Sequence, residues 1–188
     1  MRKILLLAAG LAMAAASPAW SADKYVFDSS HSQVLFSYQH LGFSTTWGMF
    51  SGFEGTIMLD EADPSKSSVS TAFKADDIIT GWEKRTAHFL SPDFFKQAPI
   101  SFESTKVEVT GEKTAKITGN LTMNGMTKPV VLDAELNKQA NHPMAGKPWV
   151  GFDAETTLKR SDFGLDKFAP AISDEVAVMI SVEAMKAE

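Results

Sequence analysis

Apolar and polar residues alternate along most of the chain with a period of two. Because successive side chains of a β-strand point to opposite faces, this pattern predicts strands with one buried face and one hydrated face. Eight segments have this pattern, and they predict at least seven strands. They lie at residues 33–40, 52–59, 68–75, 100–109, 116–123, 130–136, 150–158 and 176–182.

The spacing of these segments predicts an all-β, antiparallel fold. Asn124 and Gly125 separate two of the segments, and this dipeptide between alternating runs is the strongest short signal for a hairpin. Many short strands with frequent turns fit two architectures, a two-sheet sandwich and a closed barrel. Periodicity alone does not separate them.

The segment from Thr80 to Phe95 departs from the period of two. Trp82, Phe89 and Leu90 fall on one helical face, and Ser91 followed by Pro92 is typical of a helix N-cap and first turn. We therefore expect two short helical turns inserted between strands. Their large apolar side chains would cap one end of a barrel.

The amino terminus has the features of a secretory signal peptide. Arg2 and Lys3 precede an uncharged stretch that is too short to span a bilayer, and the small residues Ala19 and Ser21 fit a cleavage site after Ser21. The expected boundaries are residues 1–21 for the signal peptide and 22–188 for one folded domain.

The charge and the absence of cysteine exclude several classes of function. The formal net charge is −5, and it becomes more negative by two when Arg2 and Lys3 are removed. A negative chain is a poor partner for nucleic acid or for anionic lipid surfaces. Without cysteine the protein forms no disulfide and has no thiol nucleophile, so a hydrophobic core must stabilise it.

The common catalytic and metal-binding motifs are missing from the sequence. It has no Gly-x-Ser-x-Gly elbow, no phosphate loop, no His-Glu-x-x-His pair and no dinucleotide fingerprint. The histidines at 31, 40, 88 and 142 lack the spacing that places two ligands on one metal ion. We therefore predict no catalytic residue and no metal site, and pairing with Asp28 is the simplest role for His31.

A series of motifs stands at residues 28–32, 40–42, 48–55, 85–88, 119–130, 160–164 and 173–176. Together these motifs resemble the YceI-like family of bacterial periplasmic proteins over essentially the whole mature chain. The resemblance implies a lipocalin-like eight-stranded antiparallel barrel with a long pocket for a polyisoprenoid or a similar amphiphilic lipid. With the export signal, it also implies a periplasmic location. Thr86 and Phe89 depart from the residues common in the family.

We therefore expect a barrel with a short helical insert at one mouth that binds, transports or stores a long-chain isoprenoid or quinone-like lipid. It would need no cofactor, would exchange its ligand with a membrane lipid or quinone donor or acceptor, and would be a monomer or homodimer. The inward faces of the strands supply the expected walls, the insert supplies a lid, and two histidines reach a head group. The walls are Phe36, Tyr38, Phe53, Phe73, Phe102, Leu121, Leu132, Phe152 and Ile180, the lid is Trp82, Phe89 and Phe94, and the histidines are His40 and His88.

Two other interpretations are compatible with the same residues. One is a small-molecule enzyme that uses His88 with Asp93 or Glu83 as acid and base. The other is a structural barrel filled by its own side chains, because complementary large and small residues would also pack a barrel of this size. Arg160, which precedes a Ser-Asp pair, is expected to bridge loops rather than to clamp a ligand.

Overall fold

The computed structural model describes residues 22–95 and 99–188, so the predicted signal peptide lies outside the described residues. The described part contains eleven β-strands, one α-helix and three short 3₁₀ turns. Within these two ranges no helix has the length and apolarity needed to cross a membrane.

The strands follow the segments predicted from the sequence and add three more, β1, β3 and β6. Their bounds are β1 Asp23–Phe27, β2 Gln33–His40, β3 Ser44–Ser51, β4 Glu54–Leu59, β5 Ser68–Lys74, β6 Ile78–Ile79, β7 Pro99–Val109, β8 Thr114–Met123, β9 Met126–Asn141, β10 Pro148–Lys159 and β11 Glu175–Lys186. The helix α1 spans Glu83–Phe89, and the 3₁₀ turns span Pro64–Lys66, Ala75–Asp77 and Arg160–Phe163.

The strands close into an antiparallel barrel with eight strand positions. Three positions are each filled by two consecutive strands, β1 with β2, β3 with β4, and β5 with β6, and β7 to β11 fill the other five. The last strand, β11, pairs with β10 on one edge and with both β2 and β1 on the other. The predicted eight-stranded antiparallel barrel is therefore confirmed.

Local chemistry explains why three strand positions are interrupted. Gly52, between β3 and β4, has a φ of 78°, a conformation that side-chain-bearing residues rarely adopt. The Asp28 carboxylate, after β1, accepts a hydrogen bond from the Ser30 amide at 3.0 Å, and the Asp77 carboxylate, after β5, accepts one from the Lys74 amide at 2.9 Å. These turns bend the wall without opening the barrel.

The described part of the insert between β6 and β7, residues 80–95, contains one helix, so the expectation of a second helical turn beginning at Ser91 and Pro92 was wrong. Residues 91–94 form a turn, in which the Ser91 hydroxyl donates to the His88 carbonyl at 2.7 Å. The Phe95 amide donates back to the Phe89 carbonyl at 3.0 Å. Phe95 is thereby buried inside the barrel, which a continuing helix would not permit.

The buried apolar residues form two groups along the barrel. One group lies near the α1 end, and the other lies around β1, β4 and the far ends of β10 and β11. The first group is Phe36, Phe50, Ala75, Ile78, Phe95, Ile100, Phe163, Leu165 and Val178. The second is Tyr25, Phe27, Phe53, Ile57, Val150, Val182 and Ala184.

Candidate functional site

The barrel encloses a cavity of about 1270 Å³. Inward-facing side chains from all eight strand positions form its walls, and α1 with the loop between β10 and β11 surrounds one end. Pockets for drug-sized ligands measure about 300–1000 Å³. The cavity therefore has room for a longer molecule, and the interpretation as a completely filled barrel is wrong.

All of the residues predicted to bind a ligand line this cavity. The structure brings together side chains from β2, the β3–β4 turn, β5, β7 to β11 and the helical insert, although they are spread over much of the sequence. Their contact with a ligand stays a prediction. The residues concerned are Phe36, Tyr38, His40, Phe53, Phe73, Trp82, His88, Phe89, Phe94, Phe102, Leu121, Leu132, Phe152 and Ile180.

The cavity is elongated along the barrel. Met123 and Ala115 both line it, and they lie near opposite ends of β8. Eight residues of strand extend about 26 Å at roughly 3.3 Å per residue. With a strand tilt of about 40°, this corresponds to about 20 Å along the barrel axis.

One side of the cavity is mainly aliphatic, with Phe152 of β10 as an aromatic exception. Side chains of β8 to β11 alternate in burial along each strand, as expected when one face is outside and the other is inside. Leu121, Leu132 and Ile180 face inward yet are only half-buried, because they border the cavity instead of one another. Ala134 and Ala154 are opposite each other in the β9–β10 pair and keep the middle of this wall thin.

The other side is a continuous row of aromatic rings. Starting deep in the barrel, Phe53 contacts Phe73 with ring centroids 5.3 Å apart, and Phe73 contacts Phe50 at 5.0 Å. Phe50 contacts Phe36 at 5.8 Å, and Phe36 contacts Phe89 of α1 at 6.1 Å. The row leads from the interior to the helix, so an apolar chain would have aromatic contacts along its length.

Two glycines let rings of this wall lie flat against the barrel. A Cβ at Gly48 would stand 2.3 Å from the Phe36 ring, and a Cβ at Gly119 would stand 2.3 Å from the Phe102 ring. Each ring therefore covers a glycine of a neighbouring strand. Any larger residue at these positions would displace the neighbouring ring. The displaced ring would then move into the cavity.

The helix presents different residues on its two sides. Lys84, Arg85 and His88 line the cavity at its mouth, whereas Glu83 and Ala87 border a separate shallow groove beside β6.

The cationic side of the helix is held in place by Arg85 and Trp82. The Arg85 guanidinium donates to the Thr80 carbonyl at 3.1 Å, and its central carbon lies 5.9 Å from the centre of the Trp82 ring. The face of α1 that meets the opening is therefore cationic and aromatic.

His88 belongs to a charged group at the mouth. Its Nε2 lies 3.7 Å from Asp93 Oδ2, and the other oxygen of Asp93 accepts a hydrogen bond from Lys167 at 2.6 Å. This bond from Lys167 is the main reason that the pKa of Asp93 lies below its usual range. His88 also contacts the ring of Phe94 at 5.0 Å. The acid–base pair considered from the sequence is thus close together, but the histidine–carboxylate distance is longer than a hydrogen bond.

Arg160 organises the loop that forms the rest of the mouth. It is buried, and its guanidinium donates to the carbonyls of Lys167 at 2.9 Å, Ile172 at 2.8 Å and Ser173 at 2.8 Å, and also to that of Leu165. A planar guanidinium with several donors suits this role. The structural role predicted for Arg160 is confirmed, but its acceptors all belong to the one loop between β10 and β11, so it folds this loop instead of bridging two.

His31 lies apart from the residues that line the cavity. Its Nδ1 is 2.6 Å from Asp28 Oδ2, and this contact lowers the pKa of Asp28 and raises that of His31. The pairing predicted for His31 is therefore confirmed. A carboxylate oxygen of Glu183 completes a group whose ligand-type atoms lie within 4.8 Å of one another. Sequence spacing gave no sign of this group, because Glu183 is distant along the chain.

Sequence reasoning missed the contribution of the β10–β11 loop to the site. Leu165, Phe168 and Ile172 line the cavity, although they belong to no alternating segment. Arg160 was the only residue in the sequence that indicated an ordered loop here. It binds backbone carbonyl groups, which every residue has, so the side chains of the loop show no pattern that would predict the contacts. Phe50 was also missed, although it has the alternation expected of an inward residue in β3.

Comparison with known proteins gives consistent matches in sequence and fold. A UPF0312 protein of Serratia proteamaculans is 38% identical over 192 residues, which cover 100% of this chain and 98% of the relative. A crystal structure of the Campylobacter jejuni YceI protein has a TM-score of 0.72 and 31% identity, covering 80% of this chain and 90% of that one.

A more distant match has the same fold. It is described as a polyisoprenoid binding domain from Saccharophagus degradans implicated in plant cell wall breakdown, and it has a TM-score of 0.65 and 12% identity, with coverage of 87% of this chain and 98% of that one. The family model for the YceI-like domain matches residues 25–184, nearly the whole described chain. The chain therefore belongs to the YceI-like family.

Proposed function

We propose that this protein binds a long-chain isoprenoid or a similar amphiphilic lipid inside the barrel, without covalent chemistry. The observation that carries the proposal is the elongated cavity of about 1270 Å³, whose walls are mainly aliphatic on one side and aromatic on the other. The distant neighbour described as a polyisoprenoid binding domain supports the same class of ligand.

We infer the orientation of the ligand from the cationic groups at the α1 end. The residues that line the cavity at its other end include Ser67, Ser68 and Lys113. The interior offers Phe53, Phe73 and Leu132 to an apolar tail. Polar side chains that line the α1 end include His40, Arg85 and His88. A head group would therefore stay at the mouth, beside groups that donate hydrogen bonds, while the tail extends inward.

Burial of the tail supplies most of the affinity in this proposal. Each buried methylene contributes roughly 0.8 kcal/mol before the entropy of association is deducted. Since this amounts to about a fourfold gain in affinity for each methylene, tail length should matter more than the identity of a small head group.

The mouth gives a catalytic alternative less support. The Asp93 carboxylate is held by Lys167, and its lowered pKa makes it a weaker base than a free carboxylate. We propose a binding protein rather than an enzyme, with no cofactor needed for its function.

The proposed place of action is the periplasm. The features of residues 1–21 support export, and the lack of cysteine is compatible with an oxidising compartment. There the protein would carry or store a lipid that water cannot dissolve, taking it from or giving it to a membrane lipid pool or a quinone pool.

Two adjacent residues of β9 allow a matched test. Leu132 lines the cavity, whereas Val131 points outward and is 43% exposed. Displacement of a fluorescent long-chain fatty acid, followed by titration with a polyprenol, should show binding by the wild type and by Val131→Asp. Leu132→Asp should bind at least about tenfold more weakly, because a carboxylate beside an apolar tail must be desolvated. Equal binding by both variants, each shown to be folded by circular dichroism, would contradict the proposal.

A further inference from the structure

Large apolar side chains are exposed around the mouth of the cavity. Phe43, at the turn between β2 and β3, is 90% exposed, and Leu41 beside it is 51% exposed. Phe168, in the β10–β11 loop, is 52% exposed, and Trp82, at the start of α1, is 58% exposed. We call these four residues the apolar rim. Single exposed apolar residues are ordinary, but a group at one opening indicates an interaction surface.

Hydrogen bonds join the two loops that carry most of the rim. The Leu41 amide donates to the Ala171 carbonyl at 3.1 Å, and the Ser173 amide donates to the Gln39 carbonyl at 3.0 Å. The Gln39 amide also donates to the Ser173 hydroxyl at 2.9 Å. The β2–β3 turn and the β10–β11 loop therefore form one unit, and Leu41, Phe43 and Phe168 belong to it.

The backbone holds two rim residues in an unfavourable conformation. Leu41 has a φ of 55° and Phe168 a φ of 64°, in the left-handed region that bulky residues rarely adopt. Asn124, in a hairpin turn, is the other non-glycine residue with positive φ among those described. Glycine or asparagine would be more stable at both rim positions, so the apolar side chains are kept there at a conformational cost.

The charges next to the rim complement a phosphate-rich surface. Lys84 and Arg85 lie on the side of α1 that meets the opening, while Glu83 lies on the other side. Lys167, beside Phe168 in sequence, is ion-paired with Asp93 and adds no net positive charge, so Lys84 and Arg85 carry the complementarity. Aromatic residues together with lysine and arginine form the composition found where proteins meet the headgroup region of a bilayer.

We propose that the apolar rim docks on the surface of a phospholipid bilayer, so that a lipid passes between the bilayer and the cavity without crossing water. This inference rests on the proposed lipid ligand and adds its source. The overall charge of the protein is negative, so insertion of apolar side chains supplies most of the binding. Lys84 and Arg85 then orient the mouth toward lipid phosphates.

Vesicle flotation tests this docking directly. The probe is large unilamellar vesicles of phosphatidylcholine and phosphatidylglycerol in a three-to-one ratio, prepared without any ligand. The test variant combines Phe43→Ser with Phe168→Asn, since asparagine accepts the positive φ at 168. The control is Met144→Ser, because Met144 is 92% exposed in the loop between β9 and β10, at the other end of the barrel.

The wild type and the control should float with the vesicles. The double variant should bind at least about tenfold more weakly for each phenylalanine removed, as expected when an aromatic side chain no longer leaves water. Binding by the double variant equal to that of the wild type would overturn the proposal, as would a wild type that fails to float. If the wild type forms a dimer and does not bind vesicles, and the double variant is a monomer, the rim is an interface with a second copy of the chain.

A separate measurement tells whether the docking inference or the proposed ligand class is wrong. Binding of a soluble fluorescent fatty acid, measured without vesicles, depends on the cavity alone. It should be the same in the wild type and in the single variant Phe43→Ser, because Phe43 is not among the residues that line the cavity, whereas Phe168 is. Fatty-acid binding with no flotation overturns the docking inference and leaves the proposed ligand class in place. If the wild type floats with the vesicles but does not bind the fatty acid, the docking inference stands and the proposed lipid ligand is contradicted.

Discussion

Narrowing the middle of the cavity should shorten the longest tail that the protein accepts. Ala154 lines the cavity and lies opposite Ala134 across the β9–β10 pair, so an indole at residue 154 would extend over a thin part of the wall. The substitution Ala154→Trp therefore divides the cavity and leaves the part next to α1 open. Because its side chain enters open space, we expect a small change in the free energy of unfolding, below the 1–3 kcal/mol that overpacking of a filled core costs.

The magnitude follows from the length of the cavity. About 20 Å of axial length is available in the wild type, as the tilt and rise of β8 indicate. In a series of saturated fatty acids, wild-type affinity should rise by about fourfold for each added methylene until the tail fills this length. In Ala154→Trp the affinity should stop rising at a tail several methylenes shorter. If four methylenes of the longest tails are excluded from the cavity, their binding should weaken by roughly 250-fold.

Displacement of one fluorescent probe by each member of the series measures these affinities. Thr157→Trp is the matched control, because Thr157 is on the same strand and is exposed on the outside of the barrel. Chain-length dependence that is identical in Ala154→Trp and Thr157→Trp would refute the reasoning. Wild-type affinity that does not change with tail length would refute it as well.

Three further predictions concern residues outside the tail-binding walls or next to them. Arg160→Met leaves buried carbonyls without a donor and should lower the free energy of unfolding by about 3 kcal/mol, measured by urea titration. Asp28→Asn should lower the pKa of His31 in an NMR titration, since Asp28 now raises it. Gly48→Ala should push the Phe36 ring into the cavity and weaken long-chain binding several-fold in probe displacement, with little change in stability.

Controls and opposing results are available for these three changes. For Arg160, substitution of the exposed Lys159 by methionine should leave stability unchanged, and equal effects of the two substitutions would contradict the role of Arg160. For the Asp28–His31 pair, stabilisation should be lost as pH rises through the raised pKa of His31 and as pH falls through the lowered pKa of Asp28. An unchanged pKa of His31 in the Asp28→Asn variant would contradict this. Unaltered binding by Gly48→Ala would contradict the displacement of the Phe36 ring into the cavity.

The inward faces of the barrel could be predicted because each strand has a polar outer face. Leu121, Leu132 and Phe152 stand at alternating positions, so the period of two assigns them to one side before any pairing is known. What periodicity could not supply was the shape of the interior. Large and small residues in alternation fit a filled barrel as well as a hollow one, and only the positions of rings such as Phe36 over Gly48 distinguish the two.

The mouth was predicted less well because long-range backbone contacts determine it. The loop after β10 is fixed by Arg160, whose acceptors are carbonyl groups that every residue has. The Ser91-Pro92 signal was misleading for a similar reason. Serine followed by proline also suits a tight turn, and burial of Phe95 decides between a turn and a helix.

The most direct test of the central claim is native mass spectrometry of the protein purified under non-denaturing conditions from cells that produce it, followed by organic extraction and mass analysis of the extract. The proposed function predicts a complex of the mature chain with one long-chain isoprenoid or similar lipid, and the same lipid in the extract. It also predicts that Leu132→Asp is recovered without this lipid while Val131→Asp retains it. A mass equal to the bare mature chain, with no lipid taken up when polyprenol is supplied, would contradict the account.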